Sequence, residues 1–402
     1  MDAVMGSFLT LLAAGLRACP AQQRISLTRE QWKELFDLAH GHKVLPLIFE
    51  PAYPSLKEAD PAMAAALKGQ VRQQVILQTL RTAEFLELYR ALEEAGATAL
   101  VVKGIVCRQL YPKPDHRPSG DEDLLIQPRQ LALCQRILES MGMTAAPGTD
   151  DAYEVPYRRS GSPLYIELHK HLFPPDFGTD AEFNGFFADA FSNACRQPVP
   201  GGGVMTMEPG DHMTYLLFHA FKHFLHSGFG IRQICDILLF AHHYNGQIDW
   251  NRVRRSCRSI RAEKFAAAVF AIGTKHLGFD PVGPWNVAAV DEKPLLEDVL
   301  RSGIYGSAER SRLHSSNITL KAAASRKSAP RGILSAAFPS ARNLEGRYPW
   351  LKKHPYLLPA AWCRRLWEYA GETRNAGDSS AAEALKIGSE RIALLKAYGI
   401  LE

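Results

Sequence analysis

Asp121 and Asp123 stand either side of Glu122 in "RPSGDEDLLI" (117–126), and Glu167 is a lone acid between Ile166 and Leu168 in "PLYIELHKHLF" (163–173). Side chains alternate faces along a strand, so Asp121 and Asp123 project to one side and Glu122 to the other. Their backbones are then about 7 Å apart by the strand rise, close enough for both carboxylates to meet a hard divalent cation. Without a cation they repel. A single acid in an apolar strand needs a metal, an arginine or an open cleft. Two readings stand on these residues: a metal-holding set of Asp121, Asp123 and Glu167, or a solvated strand entrance with a structural ion pair to Arg117. His169 shares a strand face with Glu167 and is expected to look into the same cleft. Lys103 and Arg117 are cations that precede these acids in sequence, one a point charge and the other a bidentate fork.

The elements that must position these residues follow from pattern changes. The first ninety residues read as helices, with Thr28 as an N-cap and Gln31 three residues later, and a long helix that stops at Gly96. "TALVVKG" (98–104) is β-rich and ends in glycine, "IVCRQLY" is a helical turn or two, "DEDLLI" is a second strand and "YIELH" a third. "LALCQRILESMG" reads as a helix capped near Gly142, and "VMTM" as a last strand among Pro and Gly. After residue 208 nearly everything reads as helix, through a final one over 379–399. The predicted fold is α+β and helix-rich: a small mixed-sheet core over 91–208, a helical region over 1–90, and a helical region over 209–402.

Composition narrows the classes. With 46% hydrophobic and 22% charged residues the chain is of ordinary globular make-up. Seven scattered cysteines without a C-x-x-C pair fit a reducing, cytoplasmic setting. The N-terminal apolar run has Asp2 and no preceding Lys or Arg, unlike a secretory leader, and no window is apolar enough for a membrane span. The net charge of +5 hides an asymmetry, because residues 310–365 hold twelve Lys or Arg and a single acid, Glu345. Such a stretch can recruit phosphates or RNA, but no aromatic spacing accompanies it, so a nucleic-acid partner is not favoured. His219, His223 and His226 share a helical stripe that reads as packed or as part of an acceptor pocket rather than as a zinc site. Arg232 and Asp236, four apart, read as a helix pair. No G-x-x-x-x-G-K-[ST] loop is present, which argues against a P-loop kinase.

"VVKGIVCRQLYPKPDHRPSGDEDLLI", "YIELHKH" and "LFHAFKHFLHSGFGIRQICDILLFAHHYNGQIDW" together resemble a bacterial family of uncharacterised nucleotidyltransferases within the polymerase-beta-type superfamily. The resemblance implies transfer of an NMP from an NTP, by expectation ATP, to a hydroxyl of a small molecule, peptide or protein, with release of pyrophosphate. It implies Mg²⁺ or Mn²⁺ on Asp121, Asp123 and Glu167, with Glu167 as ligand or as base, and nucleotide contacts from Lys103, Gly104, Arg117, Ser119 and His169. Gly104 would let the backbone approach the phosphates. Two positions depart from the family pattern. Ile105 replaces a residue that offers a hydroxyl or no side chain, and Glu122 replaces an aliphatic one, which implies that the back of the second strand is not fully buried.

Overall fold

A computed structural model describes residues 2–19, 24–147, 153–174, 180–226, 229–302, 354–358 and 392–400. The basic segment 310–365 lies outside them apart from 354–358, as does most of the helix predicted over 379–399. The chain divides into one compact unit of Met1–Ala220 with Gly230–Gly303, and a second of Phe221–Phe229 with Ile304–Glu402.

The first unit opens with four helices, α1 (Ala3–Leu16), α2 (Arg29–Gly41), α3 (Leu45–Ala59) and α4 (Pro61–Glu94). Their starts are written in side chains that accept orphan N–H groups. Asp2 accepts from Met5, Asp60 accepts from Met63, and Thr28 with Gln31 forms a complete capping box. Gly15 lets α1 lie on α3 so closely that a Cβ there would meet the Leu47 carbonyl. At 34 residues α4 is about 50 Å long.

The sheet that follows is built from β1 (Ala99–Val102), β2 (Glu122–Ile126), β3 (Thr144–Ala145), β4 (Glu154–Arg158) and β5 (Tyr165–His169) in the order β1-β2-β5-β4-β3. A short helix α5 (Gly104–Arg108) follows β1, and α6 (Leu131–Ser140) follows β2. All pairs are antiparallel except β2 with β5, which run parallel with Asp123 opposite Glu167. This is the mixed sheet expected of an α+β core. Both faces of β1 and β2 are buried along their whole length, which corrects the expectation that Glu122 leaves the back of β2 open. The outer edge of β1 is covered by side chains: Tyr89 Oη donates to Ala99 O at 3.0 Å and Thr206 Oγ1 to Val101 O at 2.6 Å.

After α7 (Asp180–Phe183), a separate hairpin of β6 (Cys195–Val199) and β7 (Gly202–Thr206) leads into α8 (Pro209–His226). Helices α9 (Ile231–His243), α10 (Trp250–Ser259), α11 (Glu263–His276) and α12 (Lys293–Ser302) complete the first unit. Within the second unit, Phe224 meets Phe229 and Tyr398 edge-on, at centroid distances of 6.5 and 6.3 Å. No helix among the described residues is long and apolar enough to cross a membrane.

His42, 2% exposed, joins the N-terminal helices to the C-terminal ones of the first unit. Its Nδ1 accepts the Ile231 N–H at 3.1 Å, while Nε2 lies 3.3 Å from the Leu300 carbonyl, a pattern that only the neutral ring satisfies. Burial pushes its pKa down to about 4, against a smaller opposing pull from the Leu300 carbonyl. A histidine depressed below its unfolded value near 6.5 contributes stability that is present above that value and lost as pH falls toward 4. Chemical unfolding across pH 7 to 4 is expected to show an acid-side loss of about 3 kcal/mol from this group. In His42→Gln the loss over that window should shrink accordingly; an unchanged slope would show that His42 is not the titrating group.

Candidate active site

Three strands bring Lys103, Asp123, Glu167 and His169 together because of the register of the sheet. Lys103 ends β1 opposite the start of β2, and the β2–β5 pairing sets Asp123 beside Glu167, with His169 two residues further on the same face. Asp123 is 3% exposed, and each of its oxygens is engaged. Lys103 Nζ lies 3.0 Å from Oδ2, and His169 Nε2 lies 2.9 Å from Oδ1. The same His169 nitrogen is 3.4 Å from Glu167 Oε2, and its other nitrogen is 3.6 Å from Glu154 Oε2 on β4. Ligand-type atoms of Asp123, Glu167 and His169 all lie within 4.8 Å of one another.

The charges in this cluster define one another. Burial alone would raise the Asp123 pKa, but Lys103 and His169 beside it hold it well below the usual carboxylate range. Burial disfavours the Lys103 ammonium, yet the Asp123 carboxylate, with Tyr215 and Asp121, holds its pKa above the ordinary lysine value. His169 is pushed up to about 9, since its hydrogen bonds to Asp123 and Glu167 outweigh burial. Glu167 moves the other way from Asp123: burial and the neighbouring charges of Asp123 and Asp121 raise it, against the His169 hydrogen bond. Two carboxylates on adjacent strands thus have opposite proton affinities, one fixed as an anion and one more basic than usual.

Asp121 is half-buried at the entrance to β2, just before the paired residues. It makes no direct hydrogen bond or ion pair among the described residues, but its charge acts on both Lys103 and Glu167. The structure therefore groups His169 with Asp123 and Glu167, and sets Asp121 alongside. His219 on α8 places Nε2 3.0 Å from Lys103 Nζ, and Tyr215 one turn earlier offers its ring to the ammonium at 5.7 Å.

The turn after β1 is held in an uncommon conformation. Lys103 has φ 57° and ψ −109°, a region that β-carbon-bearing residues seldom occupy, and Gly104 follows at φ 30°. Two side chains fix it. His212 Nε2 accepts the Lys103 N–H at 3.1 Å, and Glu122 Oε2 accepts the Ile105 N–H at 2.9 Å. His212 can act so because burial, with the nearby Lys103 charge, lowers its pKa to about 3 and keeps the ring neutral. Glycine is required at 104 because a Cβ there would collide with the Glu122 carboxylate.

Glu122, the expected solvent-side residue, is fully buried with Arg108 at 2.8 Å. Ser119 completes the group: its hydroxyl accepts from Arg108 Nη1 at 2.7 Å and lies 3.2 Å from Glu122 Oε1, and its N–H donates to Gln78 at 2.8 Å. Arg117, expected near phosphate, turns its fork to Asp236 on α9 through two bonds of 2.7 Å, and Tyr111 donates to the same carboxylate. Asp236 consequently pairs with Arg117 rather than with Arg232, whose guanidinium donates to the Pro118 carbonyl. Sequence reasoning missed Arg108, Gln78 and His212. The one visible signal was Asp236 itself, an acid inside the apolar run "ICDILLF".

An α+β core that brings two acids, an imidazole and a lysine together at the centre of its sheet fits a nucleotidyltransferase. A family model described as "Uncharacterised nucleotidyltransferase" matches residues 28–278, more than half of the chain, and the chain belongs to that family. Comparison with curated proteins and with solved structures finds no match.

Proposed function

We propose that the protein transfers a nucleoside monophosphate from a nucleoside triphosphate, by expectation ATP, to a hydroxyl acceptor. The observation that carries this reading is the placement of Asp123 opposite Glu167 on neighbouring parallel strands, beside Asp121 and Lys103. The donor set suits a hard divalent cation. Two carboxylates and an imidazole lie within reach of one centre, and Asp123 is kept anionic by neighbouring positive charge. Asp121, Asp123 and Glu167, with His169 at their side, would hold Mg²⁺ or Mn²⁺, which when bound neutralises phosphate charge and polarises the phosphoryl group.

The residues of the chain do the rest. Lys103, beside Asp123, would meet phosphate oxygens. Glu167, more basic than an ordinary carboxylate, is suited to take the acceptor proton. In balance, the acceptor oxygen bonds to the α-phosphorus, the bond from that phosphorus to the bridging oxygen of the β-phosphate breaks, pyrophosphate leaves, and the acceptor proton goes to Glu167. Membership of the polymerase-beta-type superfamily, a bacterial source and a cytoplasmic setting belong to the same proposal.

The test is pyrophosphate release from each of the four NTPs with Mg²⁺ or Mn²⁺, in the presence of candidate hydroxyl acceptors. Glu167→Gln keeps the shape and removes the charge, so turnover is expected to fall by about a thousandfold or more, with a small change in nucleotide affinity. Its side chain is 20% exposed, so the fold should be little affected. Wild-type turnover in Glu167→Gln would remove Glu167 from the chemistry. Nucleotide binding by the wild type without pyrophosphate release under any condition would favour a nucleotide-sensing module on the same fold.

A further inference from the structure

Three cations from separate helical regions converge on the main chain just before β2. Arg81 of α4 donates from Nη1 to the Ser119 carbonyl, and from Nε to the Pro163 carbonyl at 3.0 Å. Arg232 of α9 donates from Nη1 to the Pro118 carbonyl. Lys43, which follows α2, holds Nζ 3.5 Å from where a Cβ on Gly120 would stand. The row follows residues 118, 119 and 120 in order and leads to Asp121. Lys43 is exposed, while Arg81 and Arg232 are half-buried, so Lys43 is the most open of the three. Lys43 has φ 56°, a left-handed conformation uncommon for lysine, which aims its side chain.

Most of the opposite charge near this row is already paired. Glu122 is tied to Arg108, Asp236 to Arg117, and Asp123 to Lys103 and His169. Among the described residues, Asp121 is the carboxylate left to face Lys43, Arg81 and Arg232. All three cations have pKa values below the ordinary range, first through burial; neighbouring cations add to this, while Glu122 offsets it in part for Arg81, Asp236 for Arg232, and Asp121 for all three. Partly open, mutually repelling cations with N–H donors to spare make a seat for an anion. Because the row is short and ends beside the acidic cluster, the anion it suits is a compact polyphosphate.

We propose that Lys43, Arg81 and Arg232 seat the β- and γ-phosphates of the nucleoside triphosphate, the part that departs as pyrophosphate. This rests on the nucleotidyl-transfer reading. It moves the phosphate-binding role from Arg117 to residues outside the sheet.

Titration calorimetry of the full chain with inorganic tripolyphosphate, without added metal, tests the seat. Lys43 is the residue to change, since its side chain makes no hydrogen bond or ion pair among the described residues, only its backbone N–H being bonded, to the His40 carbonyl. Lys43→Gln is expected to weaken tripolyphosphate binding roughly tenfold, the size of one lost charge-assisted contact, and Lys43→Glu to weaken it further. Binding of AMP, which lacks the β- and γ-phosphates, should not change. Arg81→Lys and Arg232→Lys, which keep the charge and lose the fork, should fall between wild type and Lys43→Glu. Undiminished tripolyphosphate affinity in Lys43→Glu, or no binding by the wild type, overturns the proposal. The two readings separate cleanly. Lys43-dependent tripolyphosphate binding by a protein that never releases pyrophosphate leaves the seat and removes the transfer reaction. Pyrophosphate release with an unaltered KM for the triphosphate in Lys43→Glu leaves the reaction and removes the seat.

Discussion

Asp123→Asn is expected to abolish pyrophosphate release and, at the same time, to lower the unfolding free energy by about 3 kcal/mol. The two losses share one cause. Asp123 is the buried anion between Lys103 and His169, so its neutralisation removes a donor for a divalent cation and strands an ammonium inside the protein. Breaking a buried pair from one side is costly because the remaining charge keeps its desolvation penalty. Mn²⁺-dependent nucleotide binding by calorimetry, read beside a denaturant midpoint, measures both losses on one preparation. Asp121→Asn separates them, because Asp121 is half-buried and has no direct partner among the described residues. It should lose metal-dependent binding and keep the wild-type midpoint. A stable Asp123→Asn protein that still binds Mn²⁺ and nucleotide together would refute the central place of this residue.

The second large effect lies behind the site. Glu122 and Arg108 are both fully buried, and Glu122 also accepts the Ile105 N–H that fixes the turn after Lys103. Glu122→Gln should destabilise the protein by about 3 to 5 kcal/mol, since Arg108 stays charged with no anion beside it. Arg108→Met in the Glu122→Gln background is expected to recover much of that loss by removing the stranded charge. A double-mutant cycle on unfolding free energies therefore gives a coupling of more than about 1 kcal/mol. If the two single losses simply add, the pair is not a coupled unit. Nucleotide affinity should fall in Glu122→Gln even where the protein is folded, because one amide oxygen cannot accept from both Arg108 and the Ile105 N–H that fixes the Lys103–Gly104 turn.

The helices were legible where local chemistry marks their ends. The Thr28–Gln31 box, the stop at Gly96 and the end of α6 before Gly142 all follow from rules that act within a turn. The strands bearing Asp123 and Glu167 were legible as apolar runs holding acids. Their parallel pairing was not, because register depends on contacts far apart in the chain. The weak strands β3, β4 and β6 escaped notice for a related reason: "EVPYR" carries a proline and charges, and it pairs only because β5 offers an edge. Glu122 misled by its type. A carboxylate between two aspartates looks solvated until Arg108 is brought under it by the turn at Gly104, an arrangement that no local spacing encodes. Arg117 and Asp236 show the same limit, since the i, i+4 spacing of Arg232 and Asp236 offers a nearer partner than the one the tertiary fold supplies.

The parallel alignment of β2 with β5 also bears on how the chain reaches this state. A parallel neighbour cannot be joined by a tight turn, so the chain leaves β2, builds α6 and the β3–β4 hairpin partner strands, and returns before Asp123 and Glu167 meet. In the unfolded ensemble the two acids are far apart and scarcely sense each other. Their repulsion therefore falls on the loop-closing step that completes the sheet, which already bears the entropy of a long excursion. Lys103 arrives earlier, through the antiparallel pairing of adjacent β1 and β2, and is in place to screen Asp123 when Glu167 docks. An ammonium beside the first carboxylate thus lowers the kinetic barrier to bringing in the second.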